Sequence, residues 1–541
     1  MRRRLTSGPE TPILESVNQM IHKNTCLAFF ALVPLLLACP GCRDSAPPPP
    51  DPATTTGYCA TKTPYRPQQD ASTYERPPAG FALVYAETVA RHGSRGLSAM
   101  KYDDAVLAMC ERAAADGAIT ALGLALKADV ERIMRANFFL GYRVDGVTFS
   151  EKKGGYGNLA QAGIEEHQGL ASRFATRTAA LFASPAIAAQ RVQVVHSGKD
   201  RAVDSAWFFS QALKTALPEA IRGIVGDASA DRYTLYFHKL GPEYGDPIPD
   251  ASSPLYPIWE ASQQYQTFAA GSDATGYGRL AMAKVDAARA SRSVADAART
   301  VLERLFSRDF VDRIEAGVLT FANDGTRTFT SDDGALTITL TGDGKTKIAG
   351  TVDAAALIYE LYTISATLTH EVAVDFSRYL PRRQAEVFAF LQDIDDFYLK
   401  GPSLQETDVT YRMARGLLRD FFAEVDAQKA GRSDNAAKVR FTHAEVLIPL
   451  VTLLGIENGA TPLPADETYS YANNPWRGEE ICPMAANVQW DVYGDAAGRH
   501  LVKMYLNERE VSFRGEVDRC RYGSTRFYYD YDALRQVYLR E

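Results

Sequence analysis

The sequence predicts an α/β fold with a mainly helical domain inserted between its halves. Three observations predict it: two strand–loop–helix units near the start, a long helical middle, and a strand–helix unit that returns near the end. The 541 residues suit about three or four domain lengths, or one large domain with an insertion. With 46% hydrophobic and 23% charged residues, the chain has globular composition, which excludes collagen-like, coiled-coil and broadly disordered classes. A net charge of −7 excludes a wholesale nucleic-acid binder but allows a local basic pocket.

The elements follow in order. Residues 26–38 (CLAFFALVPLLLA) form an apolar run of 13, the length of a signal-peptide core and too short to span a bilayer comfortably. Lys23 supplies the positive flank, and Met20 is the expected true start. The run ends in Leu36-Leu37-Ala38-Cys39, which resembles a bacterial lipobox; Cys39 is then the lipidated mature N-terminus. The expected protein is exported: a periplasmic, outer-membrane or cell-surface lipoprotein, or otherwise secreted. It touches membrane only through that anchor, and it is a monomer. Residues 42–57 follow as a Pro/Thr-rich tether with little to bury. Export permits disulfides, and of the seven cysteines Cys59–Cys110 and Cys482–Cys520 are the first pairings to test.

Residues 81–86 (FALVYA) read as a buried strand, with a loop from Glu87 to Gly96. Residues 102–137 and 160–183 are helical by period. Arg191–His196 is a second strand, and 201–217 a helix with Ala206, Phe209 and Leu213 on one face. Most of 240–430 is helical. Within it, Leu336, Ile338 and Leu340 alternate with threonines before Gly342-Asp343-Gly344, which reads as a hairpin near 336–348. Residues 439–442, 489–492 and 501–507 are further strands, and 445–456 a helix. The predicted division is a signal peptide (1–38), a tether (39–75), an α/β domain (76–105, 186–240 and 432–541) and a helical domain (106–185 and 241–431).

In open α/β folds, ligands gather at the carboxyl ends of the strands. Three such loops carry chemistry. Arg91-His92-Gly93-Ser94-Arg95 sets a histidine between two arginines, which bind phosphate bidentately and keep it neutral and nucleophilic. His196-Ser197-Gly198-Lys199-Asp200-Arg201 brings a third arginine to a helix start; it is not a P-loop, since no glycine stands five residues before Gly198. Thr442-His443-Ala444-Glu445 offers a second histidine and a carboxylic acid. Singly, Arg201 reads as a surface ion-pair residue, His196 as structural and His-Ala-Glu as a cap. Together the loops supply an in-line nucleophile, charge for the equatorial oxygens and a proton for the leaving group, as phosphoryl transfer needs. Thr369-His370-Glu371 lacks the second histidine of a zinc protease, and His167, His238 and His500 are isolated. The residues imply no metal and no cofactor.

Further segments extend the pattern: Arg201-Ala-Val-Asp-Ser205-Ala206-Trp-Phe208, Gly157-Asn-Leu159-x-x-x-Gly163-x-x-Glu166, Pro483-x-Ala-Ala-Asn487 and Leu506-Asn507-Glu508. With Arg91-His92-Gly93-x-Arg95, the sequence resembles the histidine acid phosphatases, the larger branch of the histidine phosphatase superfamily. His443-Ala444-Glu445, in place of a His-Asp donor, is similar to the multiple inositol polyphosphate phosphatases. Ala202 stands where that family usually has threonine. The resemblance implies a Rossmann-like, phosphoglycerate-mutase-type α/β domain with a helical insertion. It implies a phosphohistidine on His92, a phosphate held by Arg91, Arg95, Arg201 and His443, and Glu445 as proton donor and then helper of water. Ser94, Lys101 and Lys199 are candidates for the substrate's other phosphates. Phytate and lower inositol phosphates are the implied substrates, opened at several ring positions, and the longer Glu donor is expected to tolerate several leaving-group positions. Two alternatives stand beside this reading: a broad-specificity acid phosphatase and a non-catalytic phosphate-binding lipoprotein.

Overall fold

In the computed structural model, residues 58–142, 149–151 and 153–539 are described. The signal peptide, Cys39 and most of the tether lie outside them. The strands are β1 (Ala82–Arg91), β2 (Arg191–His196), β3 (Ser229–Ala230), β4 (Phe321–Ala322), β5 (Thr326–Thr330), β6 (Thr337–Thr341), β7 (Lys347–Ile348), β8 (Asn435–Thr442), β9 (Asn487–Gly494), β10 (His500–Leu506), β11 (Arg509–Val511) and β12 (Tyr528–Asp530). The main sheet runs β11-β10-β9-β1-β8-β2-β3, with β12 also on β10. β1, β8, β2 and β3 are parallel, and β9, β10 and β11 extend the sheet antiparallel.

The register sets the site. Arg91 stands opposite Thr442, and His196 opposite Phe441, so β1, β8 and β2 end in line. Their three following loops therefore open on one edge.

Helices cover both faces, as a sheet with buried parallel strands requires. On one face Leu170 and Phe174 of Gln161–Arg177 and Phe209 and Leu213 of Asp200–Ala216 pack with Val192, Val439 and Phe441. On the other, Phe421 and Phe422 of Arg415–Lys429 meet Trp490 edge-on, beside Leu447 and Val451 of Ala444–Leu454. This moves the predicted domain borders. Gln161–Arg177 and Arg415–Lys429 belong to the sheet's own layers, because their apolar faces are buried there. The inserted helices keep a separate core around Met109, Ile133, Phe138, Leu302, Phe310 and Ile358.

Several other expectations are corrected. β1 continues through Glu87 to Arg91, where a loop was predicted. The Glu87 carboxyl lies 2.9 Å from Arg440 with both side chains fully buried; burial pushes it up to about 8 against the pull of the guanidinium, so the strand holds it largely as the neutral acid. The predicted 102–137 helix breaks at Gly117 (φ +66°) into Tyr102–Ala115 and Ala121–Phe139, the second capped by Thr120. The hairpin is β5–β6, its turn lying between Thr330 and Thr337; Gly342-Asp343-Gly344 instead leads to β7, which pairs with β4. Its outer face is a ladder of hydroxyl pairs, Thr326–Thr341, Thr328–Thr339 and Thr330–Thr337. Asn507 leaves the predicted strand for a two-residue turn, with positive φ at Asn507 and Glu508. Neither predicted disulfide forms: Cys110, Cys482 and Cys520 are free thiols, although Cys482 and Cys520 line the same hydrophobic core.

Candidate active site

His92 follows β1 directly. Its backbone N–H donates to the Thr442 carbonyl (2.8 Å), and its own carbonyl accepts from Ala485 N–H (3.0 Å). Ring Nδ1 lies 2.9 Å from the Gly93 carbonyl. A carbonyl only accepts, so Nδ1 carries the proton and Nε2 keeps its lone pair. Burial first, then Arg201, Arg91 and Arg95, hold the imidazole well below its ordinary pKa. His92 is therefore a neutral base and nucleophile.

The loop around it is held by close backbone packing. A Cβ on Gly93 would sit 2.6 Å from the Gly163 carbonyl oxygen, and one on Gly163 would sit 2.1 Å from that of Ser94. Only glycine allows the two segments to approach this closely. Glu166, one turn after Gly163, accepts from Ser94 N–H (2.6 Å), Ser94 Oγ (2.7 Å) and Tyr65 N–H (2.9 Å). Ser94 is thus fully buried against Glu166, so its hydroxyl orders the loop, which corrects its expected role as a substrate contact. Gly93 N–H donates to Ser205 Oγ (3.2 Å), which donates to the Arg201 carbonyl (2.7 Å), linking the first loop to the second.

The three arginines gather around His92. Arg91 donates to the carbonyls of Thr61, Cys482 (2.7 Å) and Pro483 (3.2 Å), so backbone alone aims it. Arg201 sits in the first turn of Asp200–Ala216. The Nε atoms of Arg91, Arg95 and Arg201 are buried without a hydrogen-bond partner. Burial, then Arg201 and Arg91, push the Arg95 guanidinium down to about 9. Crowded, partly desolvated cations of this kind favour an anion.

His443 caps the N-terminus of Ala444–Leu454 and is fully buried. Its Nε2 lies 2.8 Å from Ser197 Oγ, and its ring meets His92 edge-on at 5.4 Å. Burial, then Arg201, keep it neutral. Glu445, in the first turn, lies 3.9 Å from Lys400 Nζ. Burial alone would raise its carboxyl, but Lys400, then His238 and His443, hold it well below the usual range.

Of the remaining candidates, Lys199 lies over the Tyr236 ring at 5.0 Å, which Arg232 also faces at 4.6 Å. Lys101 precedes Tyr102–Ala115 and is half-buried. Three residues were not singled out for the site: Glu166 beyond its motif, Tyr236, whose ring meets His443 edge-on at 5.1 Å, and Lys400. His238, read as isolated, has its ring 6.4 Å from that of His443. Tyr236, His238 and Lys400 carry no motif, because the short helix near Phe237 and the end of Arg382–Leu399 supply them rather than the three catalytic loops. Among the described residues, no group of three or more His, Cys, Asp or Glu is placed to hold a metal.

A neutral histidine at a parallel strand's end, ringed by arginines and faced by a carboxyl group, defines a histidine phosphatase. Comparisons agree. The family profile of the histidine phosphatase superfamily (branch 2) matches residues 299–507. A multiple inositol polyphosphate phosphatase from Bifidobacterium longum, solved with inositol hexasulfate, is 30% identical with a TM-score of 0.75, over 89% of this chain and 97% of that one. Multiple inositol polyphosphate phosphatase 1 of Gallus gallus is 28% identical over 167 residues, 29% of this chain and 36% of that protein. The phytase of D. castellii, at 14% identity and a TM-score of 0.55 over 89% of this chain and 84% of that one, shares the fold. The chain belongs to the multiple inositol polyphosphate phosphatases.

Proposed function

We propose that the protein is a phosphomonoesterase that hydrolyses phytate and lower inositol phosphates through a phosphohistidine at Nε2 of His92. The observation that carries this reading is the His92 tautomer: Nδ1 is committed to the Gly93 carbonyl, leaving Nε2 as the nucleophile among three arginines.

The residues divide the work. Nε2 attacks phosphorus while the bond to the ester oxygen breaks. Arg91, Arg95 and Arg201 bind the equatorial oxygens, whose charge is held more tightly as the transition state forms. Ser197 Oγ accepts from Lys199 N–H (3.4 Å), and in this reading its own O–H donates to His443 Nε2, which places the ring proton on Nδ1, toward a phosphate oxygen. Glu445 protonates the leaving alkoxide. Water then attacks phosphorus, giving a proton to the Glu445 carboxylate. The P–N bond breaks, its electron pair returns to Nε2, and phosphate leaves.

Glu445 is ionised in the empty site, whereas its first task needs the acid. Bound phosphate supplies the missing influence, because its negative charge raises a neighbouring carboxyl. The polyanionic substrate is supported by the cations near Tyr236: after burial, Arg232, Arg201 and Lys239 lower the Lys199 ammonium. It is supported too by the B. longum relative, solved with inositol hexasulfate and with phosphate. Lipid anchoring at Cys39 is part of the proposal, and loss of membrane association in Cys39→Ala tests it.

The decisive experiment measures phosphate release from phytate and p-nitrophenyl phosphate in mild acid. His92→Ala should abolish both activities. Glu445→Gln should slow phytate about 10²–10⁴-fold and the nitrophenyl ester, a good leaving group, far less. Phytate products should include several isomers; a single dominant ring position rejects the tolerance of leaving-group position ascribed to Glu445. No release from either substrate leaves a phosphate-binding protein, and preference for the nitrophenyl ester a general acid phosphatase.

A further inference from the structure

The proton donor has a neighbour that belongs to none of the three catalytic loops. Lys400 ends the helix Arg382–Leu399, in the inserted part of the chain. Its Nζ lies 2.6 Å from Asp396 Oδ1 and 3.9 Å from Glu445 Oε1. Asp396 is fully buried, and its Oδ2 accepts from Thr61 Oγ1 at 3.0 Å. The Thr61 carbonyl in turn accepts from Arg91. One chain of polar contacts therefore runs from the proton donor to an arginine of the phosphate site.

We propose that Lys400 is a positioning residue for Glu445: anchored by Asp396, it sets the balance between the donor's acid and base forms. This rests on the role given to Glu445 above. The two half-reactions make opposite demands. The first needs Glu445 protonated, to give its proton to the alkoxide as the ester P–O bond breaks. The second needs the carboxylate, to take a proton from water as the P–N bond breaks and its electron pair returns to His92. A fixed ammonium beside Glu445 favours the carboxylate and hence the second step. Substrate phosphates favour the acid and hence the first.

The other groups facing Glu445 act on it less than Lys400 does. His238 and His443 follow Lys400 in holding the carboxyl down, and burial lowers their own affinity for a proton. Arg201 and Arg95 act from the phosphate site. Tyr236, Tyr265 and Cys482 are uncharged, and Asp395 and Asp396 act beside Lys400. Among the described residues, Lys400 is the lysine or arginine within ion-pair reach of Glu445.

The test uses the full chain with Lys400→Met, Lys400→Arg and the double variant Asp396→Asn/Lys400→Met, which leaves no unpaired buried carboxylate. The pH dependence of kcat is measured on phytate and p-nitrophenyl phosphate. On phytate, the alkaline limb should move up by about one pH unit in Lys400→Met and in the double variant, and return in Lys400→Arg. On the nitrophenyl ester, which needs little proton donation, that limb should stay in place. Phosphohistidine trapped by alkaline quench, in which the P–N bond survives, should rise in Lys400→Met as its hydrolysis slows. An unmoved phytate limb in a folded double variant overturns the proposal, as does an equal shift on both substrates. A wild type inactive on both overturns the Glu445 reading on which it rests.

Discussion

Single hydrogen bonds decide what the two active-site histidines do. The Gly93 carbonyl takes the proton-bearing nitrogen of His92 out of play, and Ser197 engages the opposite nitrogen, Nε2, of His443. Both rings are buried among arginines and stay neutral in acid, where their phosphate-binding neighbours are fully charged. Ser197→Ala removes the hydroxyl that orients His443, freeing its ring to adopt either tautomer. The expected result is a roughly 10-fold fall in kcat with little change in melting temperature, measured by steady-state kinetics and circular dichroism. At this scale much was legible. Arg91, His92 and Arg95 are nearly consecutive, and Arg201, His443 and Glu445 each begin a helix after an apolar run. Lys400 was not legible. It ends a helix that gives no local sign of reaching Glu445, 45 residues along the chain.

At the level of elements, the site depends on how closely the His92 loop meets the start of Gln161–Arg177. Gly93 and Gly163 face each other with no room for a methyl group, and Glu166 caps the loop from the same helix. Gly163→Ala must push the Ser94 backbone away. We expect a loss of about 1–3 kcal/mol in stability, by denaturant melts, and a larger fall in kcat than in substrate affinity. Here the sequence was read less well. Glu87 looked like the start of a loop because an isolated carboxylate is foreign to a strand interior, yet Arg440 stands beside it on β8. The hairpin was misplaced for a related reason. Two glycine-bearing turns flank β6, and only the partner strand, β5, shows which one reverses the chain. Pairings between distant segments leave no local trace, whereas the alternation along β6 did.

Across the molecule, buried neutral histidines tie stability to pH. Burial pushes His167 down to about 3 and His238 down to about 4. In the unfolded chain both titrate at about 6.5. Between those values the unfolded state binds more protons at these two sites, so their contribution to stability falls as pH drops from about 6.5 toward 4. For fully buried His167 the contribution lost is on the order of 4 kcal/mol at the acid end. Carboxyls raised by burial pull the other way, Asp393 and Glu87 to about 8 and Asp103 to about 6, so the histidine contribution is read as a difference: melting temperatures of wild type and His167→Gln are compared at about pH 7, 5.5 and 4. His167→Gln should gain stability relative to wild type as pH falls, and a constant gap would remove His167 as a contributor.

The clamp on Arg91 also bears on the order in which the protein is made. Its three carbonyls come from Thr61, Cys482 and Pro483, the latter two 391 and 392 residues further along. β1 itself lies between β8 and β9, which begin at Asn435 and Asn487. During synthesis the sheet's central strand therefore emerges early and waits, with both edges unpaired, until most of the chain has followed. Pairing this distant in sequence is slow, because the loops that close it must be ordered first. The first structural piece of the phosphate site to be translated is the last to be assembled.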